Sequence, residues 1–339
     1  MRFPSSAAAE AVGSAVVEWE AVATRGYARS CAHWRARLAD DRRVFIKQAL
    51  NGTAVEWLRA ERVIYEAVRG SFMPSFYGAY DDGELALIAL EDLTDAEWPP
   101  PWSPSRIERV LASLDALHRT APPNEIEKLE AIRGEVVGWS DIAANPEPML
   151  STGLCAPAWL EEALPALLQA SEDAQLDGTE LLHFDVRSDN LCLRGENALF
   201  FDWNLARIGN GDFDVAFWLP SLTLEGGPAP SEVLPAAGPL AAAVAGFFAV
   251  RAGLPPRTQL QPYATSSVRK RRSLWRGLPA SSTCRCRKPS DLRPWRSAGR
   301  SGDVPPLLLP AIALTDCSLA AHNPFEAGSS AASLRCWMR

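Results

Sequence analysis

The chain has 339 residues, with 34 Lys and Arg against 41 Asp and Glu and a hydrophobic fraction of 47%. That length and apolar content suit one large folded domain or two lobes, and they argue against a chain that is disordered overall. Seven cysteines, an odd number in which Cys31, Cys155 and Cys192 are widely spaced, argue against a disulfide framework, and the longest apolar run, near Leu240 to Val250, is too short to span a bilayer. With no basic stretch leading into an apolar core near the start, a cytoplasmic protein is expected.

The first strand-like runs are Val16 to Val22 and His33 to Leu38, separated by Thr24 to Ser30, which carries one glycine, Gly26. By itself this is an ordinary hairpin connection. Arg43 to Ala49 is a β-rich run holding Lys47, the one lysine in the first hundred residues, set among apolar neighbours where a solvated face is not expected. Glu56 to Val68 has helical periodicity, with Trp57, Ala60, Ile64 and Val68 on one stripe. Leu85 to Leu90 reads as a buried strand that leaves through Glu91-Asp92-Leu93 into a stiff proline-rich connector, Pro99 to Ser105, ending in a helix cap. Ile107 to Leu117 and Ala158 to Leu168 have the apolar spacing of core helices, and Trp98, Trp102, Trp139 and Trp159 read as packing residues.

The densest chemistry follows in His183-Phe184-Asp185-Val186-Arg187-Ser188-Asp189-Asn190. Leu191 to Arg194 and Ala198 to Phe201 are short apolar strands around the turn-forming triplet Gly195-Glu196-Asn197, a hairpin that brings its two open ends together. Adjacent strands lie about 4.8 Å apart, so Asn190 entering the hairpin and Asp202 leaving it can reach one metal ion. Asp185 in the preceding loop is placed to accept the proton of an attacking hydroxyl, as phosphoryl transfer requires. Arg187 is a permanent cation suited to a transferring phosphate. Asp and Asn also serve turns, but the hairpin and the second Asp supply a context that a chance match lacks. Asp212 and Asp214 are expected to start the next helix, where acidic residues meet free N–H groups, with Asp214 also able to brace the loop.

A site of this kind needs a strand lysine for the phosphates and a helical glutamate to orient it. Lys47 is the lysine; Glu61 is the preferred partner, with Glu66 as the alternative. The loop around Gly26 then lies over the phosphates, and Glu91 and Leu93 bind adenine through the backbone. In this order the parts resemble the aminoglycoside phosphotransferase family, small-molecule kinases with a protein-kinase-like fold. The resemblance is carried by Arg43 to Lys47, Glu61, Leu90 to Leu93, Leu114-Asp115-Ala116-Leu117-His118, His183 to Asn190, Phe201-Asp202-Trp203 and Gly211 to Ala216. It implies ATP- and Mg²⁺-dependent phosphorylation of a hydroxyl on a small molecule. One departure is Phe184, where the family usually has glycine.

The expected fold is α+β and bilobal: an antiparallel β-sheet lobe over 1–92 that binds nucleotide, then a mostly helical catalytic and substrate lobe over 93–256. Residues 257–339 differ in kind. They hold 14 Lys and Arg against 4 Asp and Glu, a net charge of +10, which leaves −17 on residues 1–256. Interleaved Arg and Trp could serve nucleic acid, but mixed Arg, Pro, Ser, Cys and Trp is also what out-of-frame translation of GC-rich DNA yields. A frameshift shortly after residue 255 is the preferred reading of this basic irregular tail, with a disordered segment as the alternative, and no nucleic-acid partner is expected. The acidic body favours a cationic acceptor such as an amino sugar. A nucleotide-binding pseudokinase is the rival, motivated by Phe184 and the aberrant tail.

Overall fold

The computed structural model describes residues 2–22, 30–235 and 237–254; Gly26 and the basic segment 257–339 lie outside the described residues. The chain enters through helix α1 (Ser5–Val12) and three strands, β1 (Val16–Ala21), β2 (Cys31–Leu38) and β3 (Arg43–Ala49). Helix α2 (Gly52–Ala67) follows, then β4 (Phe76–Asp81) and β5 (Ala86–Glu91). The five strands form an antiparallel sheet in the order β1-β2-β3-β5-β4. Side chains alternate across a strand, so the sheet has two faces with separate tasks. On one, Trp34, Leu38, Val44 and Ile46 pack under Phe3, Ala8 and Val12 of the α1 segment. The other carries Lys47 and lies toward α2.

Helix α2 starts where the Asn51 side chain accepts the Ala54 N–H at 2.9 Å, a cap that satisfies one of the first-turn donors. Its buried face is Ala54, Leu58, Glu61, Ile64 and Tyr65, so the stripe predicted through Trp57 and Ala60 is off by one residue. The face includes a charge, which hydrophobic periodicity counts as solvent-facing.

After the connector, Ser103 caps α3 (Pro104–His118), with proline at its first position. A 3₁₀ turn at Leu129–Ile132 leads to α4 (Arg133–Val137), α5 (Trp139–Ala144), α6 (Glu147–Ser151) and α7 (Pro157–Glu172). Then β6 (Glu180–Leu182), β7 (Leu191–Arg194), β8 (Asn197–Phe200) and β9 (Arg207–Gly209) form two nested antiparallel pairs, β7 with β8 inside and β6 with β9 outside. Arg194 and Asn197 pair, so the hairpin turn is two residues and not three. Nesting forces the loop leaving β6 and the segment returning to β9 to the same end of the hairpin. Both core helices predicted here are present and longer than their apolar spacing indicated.

The described chain closes with α8 (Asp212–Leu224), α9 (Pro230–Val233) and α10 (Gly238–Ala249). Helix α10 is apolar nearly all round, as a helix enclosed on every side must be. Its Gly246 lies against α4 and α5: a Cβ there would stand 1.6 Å from the Val137 carbonyl oxygen and 2.6 Å from the Trp139 ring. Trp139 Nε1 donates to Ala242 O at 2.7 Å across the same contact. Gly246→Ala is therefore expected to destabilise by about 1–3 kcal/mol through overpacking, read as a lower midpoint in thermal denaturation. An unchanged midpoint would show that α10 can slide. No described helix is long and apolar enough to cross a membrane, and Cys31, Cys155 and Cys192 are free and buried.

Candidate active site

Lys47 projects from β3 toward α2 and the end of the hairpin. Its Nζ donates to Glu61 Oε2 at 2.9 Å and to Asp202 Oδ1 at 2.5 Å. This joins one residue from each of three elements. Glu66, the alternative partner, pairs on the surface with Arg62 at 2.6 Å. Burial would by itself lower the pKa of Lys47, but Asp202 and Glu61 outweigh it and the ammonium is held above its usual range. Burial raises Glu61, which is fully enclosed, while Lys47 opposes the rise. Burial also works to raise Asp202, whose side chain is 44% exposed, and Lys47 reverses that to leave it below the usual carboxylate range.

The loop after β6 is held by α8. Asp214 accepts the His183 N–H at 2.8 Å and the Phe184 N–H at 2.7 Å, and His118 Nε2 lies 3.1 Å from the same carboxylate. The His183 ring bridges onward: Nε2 is 2.9 Å from the Phe201 carbonyl oxygen, which can only accept, so the proton sits there and Nδ1 accepts from the Asp185 N–H at 3.3 Å. Asp185 is 5% exposed. Asn190 Nδ2 donates to its Oδ2 at 2.8 Å and to its backbone O at 3.0 Å. Oδ1 is buried with no hydrogen-bond partner among the described residues and forms a 3.8 Å ion pair with Arg187 Nε. Burial raises the Asp185 pKa and Arg187 only partly offsets the rise. Arg187 itself is bonded to Asp189, with Nε to Oδ1 at 2.9 Å.

Where β5 ends, Glu91 is a strut: Arg194 and the Ser75 N–H bond its carboxylate, and its own N–H donates to Ser75 O at 2.9 Å. The Leu93 N–H has no partner among the described residues. On the Lys47 face, His33 and Phe45 stack at 5.4 Å between centroids. Burial and Lys47 lower the His33 pKa to about 4, so the ring is neutral.

Among the described residues no three His, Cys, Asp or Glu side chains gather as a metal cage. The oxygen donors that remain are Asn190 Oδ1, freed because the amide nitrogen faces Asp185, and the second oxygen of Asp202, which sits at φ 68° just past the hairpin. The Phe201 N–H donates to Asn190 O at 3.1 Å and holds the two strand ends together. One amide and one carboxylate fit a hard divalent cation that takes its other ligands from water and phosphate. The structure thus brings together Lys47, Glu61, Asp202, Asn190, Asp185 and Arg187, while Glu91 and Leu93 lie at the β5 exit.

Asp214, expected from the sequence to be able to brace the loop, is a buried strut between α8 and that loop. One support was missed by sequence reading. Glu225, just past α8, accepts from Ser188 Oγ at 2.5 Å and from Trp102 Nε1 at 2.7 Å, tying the loop to the start of α3. Nothing in its local sequence marks it.

Residues 99–247 match the model of the phosphotransferase enzyme family. Among solved structures the chain is similar to macrolide 2'-phosphotransferase type I, at 17% identity over 73% of this chain and 89% of that one, with a TM-score of 0.46. It is also similar to choline kinase from Cryptosporidium parvum Iowa II, at 12% identity over 69% and 81% of the two chains with a TM-score of 0.45. A choline/ethanolamine kinase family protein from Mesorhizobium loti gives 16% identity over 69% and 77%, with a TM-score of 0.44. No curated protein matches the sequence.

Proposed function

We propose, from a chain whose residues 99–247 match the model of the phosphotransferase enzyme family, that this protein is a small-molecule kinase that moves the γ-phosphoryl group of ATP to a hydroxyl with the help of Mg²⁺. The carrying observation is the buried Asp185, one oxygen bonded by Asn190 and the other free of hydrogen bonds among the described residues. In this reading the acceptor hydroxyl gives its proton to Asp185 as its oxygen bonds to the γ-phosphorus and the bond from that phosphorus to the β-phosphate oxygen breaks, releasing ADP. A raised pKa suits a base that must take a proton in the transition state and release it afterwards. Lys47, oriented by Glu61, holds phosphate oxygens; Arg187 steadies the transferring group; the Leu93 N–H and Glu91 backbone serve adenine. Asn190 and Asp202 would hold Mg²⁺, which when bound neutralises phosphate charge. Residues 1–92 act as the nucleotide lobe and 93–256 as the catalytic lobe, and the acidic body favours a cationic alcohol such as an aminoglycoside.

Thermal melting with Mg-ATP tests the nucleotide site. A ligand at one hundred times its Kd stabilises by about 2.7 kcal/mol, and the Mg²⁺-dependent part is expected to vanish in Asp202→Asn. ATP consumption against aminoglycosides, choline and small sugars tests transfer. Stabilisation with no turnover on any acceptor would instead favour a pseudokinase, and no stabilisation would sink both readings.

A further inference from the structure

Phe184, immediately before Asp185, has φ 63°, in the left-handed region where a Cβ is disfavoured and glycine is at ease. Such a conformation persists only where the surroundings over-determine it. The Phe184 ring is 4% exposed and lies 5.6 Å from Phe213, 5.5 Å from Phe217 and 6.3 Å from Phe247, centroid to centroid. Phe217 in turn meets Phe247 at 5.1 Å. The neighbouring Val186 points into the other core, with Leu191 and Phe200, so the loop is fastened on both sides of Asp185. Helix α10, which supplies Phe247, is itself fixed by the Gly246 contact and the Trp139 hydrogen bond.

We propose that Phe184 is a positioning residue for Asp185: its ring keys the catalytic loop to α8 and α10, so the placement of the base depends on a helix that contributes no side chain to the site. This rests on Asp185 being the base. Hydrogen bonds hold the loop on either side: the 183 and 184 N–H groups to Asp214, the Asp185 N–H to His183 Nδ1, and Asn190 Nδ2 to the Asp185 carboxylate and carbonyl. The ring adds a constraint they do not supply, on the backbone torsions of residue 184 from which Asp185 departs. Glycine at 184 would keep the hydrogen bonds and relieve the backbone while losing the key. Strain relief and catalysis therefore respond in opposite directions.

The test uses the full chain, Mg-ATP and the best acceptor of the panel above, with water as acceptor alongside. Phe184→Gly is expected to lower kcat by roughly 10- to 100-fold, the scale of a catalytic group displaced by up to about 1 Å. Its KM for ATP and its thermal stabilisation by Mg-ATP should stay within about twofold of the parent, since the nucleotide contacts are untouched. Phe184→Met, which refills the site, should recover most of kcat. Phe247→Ala should lower kcat in the same way, and the double variant should lose far less than the product of the single losses. Should the alanine variant not fold, Phe247→Leu replaces it with a smaller loss in the same direction. An unchanged or raised kcat in Phe184→Gly, or independent multiplication of the two losses, overturns the proposal. Asp185→Asn run in parallel separates the outcomes: full activity there removes the base assignment itself, whatever Phe184 does.

Discussion

Asp185→Asn is expected to cut kcat by about 10²- to 10⁴-fold, the usual contribution of a positioned general base, while the melting temperature at neutral pH holds or rises. Asparagine keeps the shape and can still accept from Asn190 Nδ2, but it cannot take the acceptor's proton. The stability half follows from linkage. Asp185 has a folded pKa above its ordinary value of 3.8, chiefly through burial. The folded state therefore holds that proton more tightly than the unfolded state, and the stability it confers below the unfolded pKa is lost as pH rises through the folded one. Above the folded pKa the ionised carboxylate opposes folding, and asparagine removes that opposition. Melts at pH 4 and pH 8 should show the variant gaining on the parent at the higher pH. The same ionisation sets the acid limb of kcat, placed above the ordinary carboxylate range and absent from any residual activity of the variant. Wild-type turnover in Asp185→Asn, or a lower melting point at pH 8, would end the assignment.

Much of this site was legible because its groups are close in sequence. Asp185, Asn190 and Asp202 are separated by one loop and one hairpin, and strand spacing alone brings the last two near each other. Lys47 stood out as a lone lysine in an apolar strand, a place where a charge needs a partner. Glu61 was harder. It lies on the buried stripe of α2, yet any hydrophobicity scale counts it as polar, so the apparent stripe slid by one residue and Glu66 stayed eligible. Tertiary contact alone separates the two. The supports divide: Asp214 was named as a possible brace and reaches back 31 residues to the His183 N–H, whereas Glu225, which reaches 37 to Ser188, carried no local signal. No periodicity encodes such a link. Helix α1 and strand β4 are short and weakly patterned, and they take shape from packing against the sheet. Phe184 was visible as a departure, but its meaning depends on Phe213, Phe217 and Phe247, which arrive from two later helices.

Lys47→Met should abolish phosphoryl transfer and also unsettle the fold, with a pH signature that separates the two effects. Glu61 is fully buried and Lys47 is its ion-pair partner, whereas Asp202 is partly open to water and tolerates the loss. Removing one member of a buried pair costs about 3–5 kcal/mol, because the other is left as an uncompensated charge. At roughly 2–4 °C per kcal/mol for a chain of this size, the midpoint should fall by about 6–20 °C. Without the ammonium, burial acts on Glu61 unopposed and its folded pKa rises further above the unfolded value. A group shifted in that direction favours the fold below its unfolded pKa and ceases to do so as pH climbs through the folded one, so the deficit should be greatest at alkaline pH and shrink on acidification. Adding Glu61→Leu to Lys47→Met removes both charges and should restore most of the midpoint, since an apolar pair of similar volume often replaces a buried ion pair without loss. It should restore no turnover, because the phosphates still lack their cation. Equal midpoints for the parent and Lys47→Met at pH 8 would mean that Glu61 finds another partner or water, and that the contact between β3 and α2 is not what holds the helix in place.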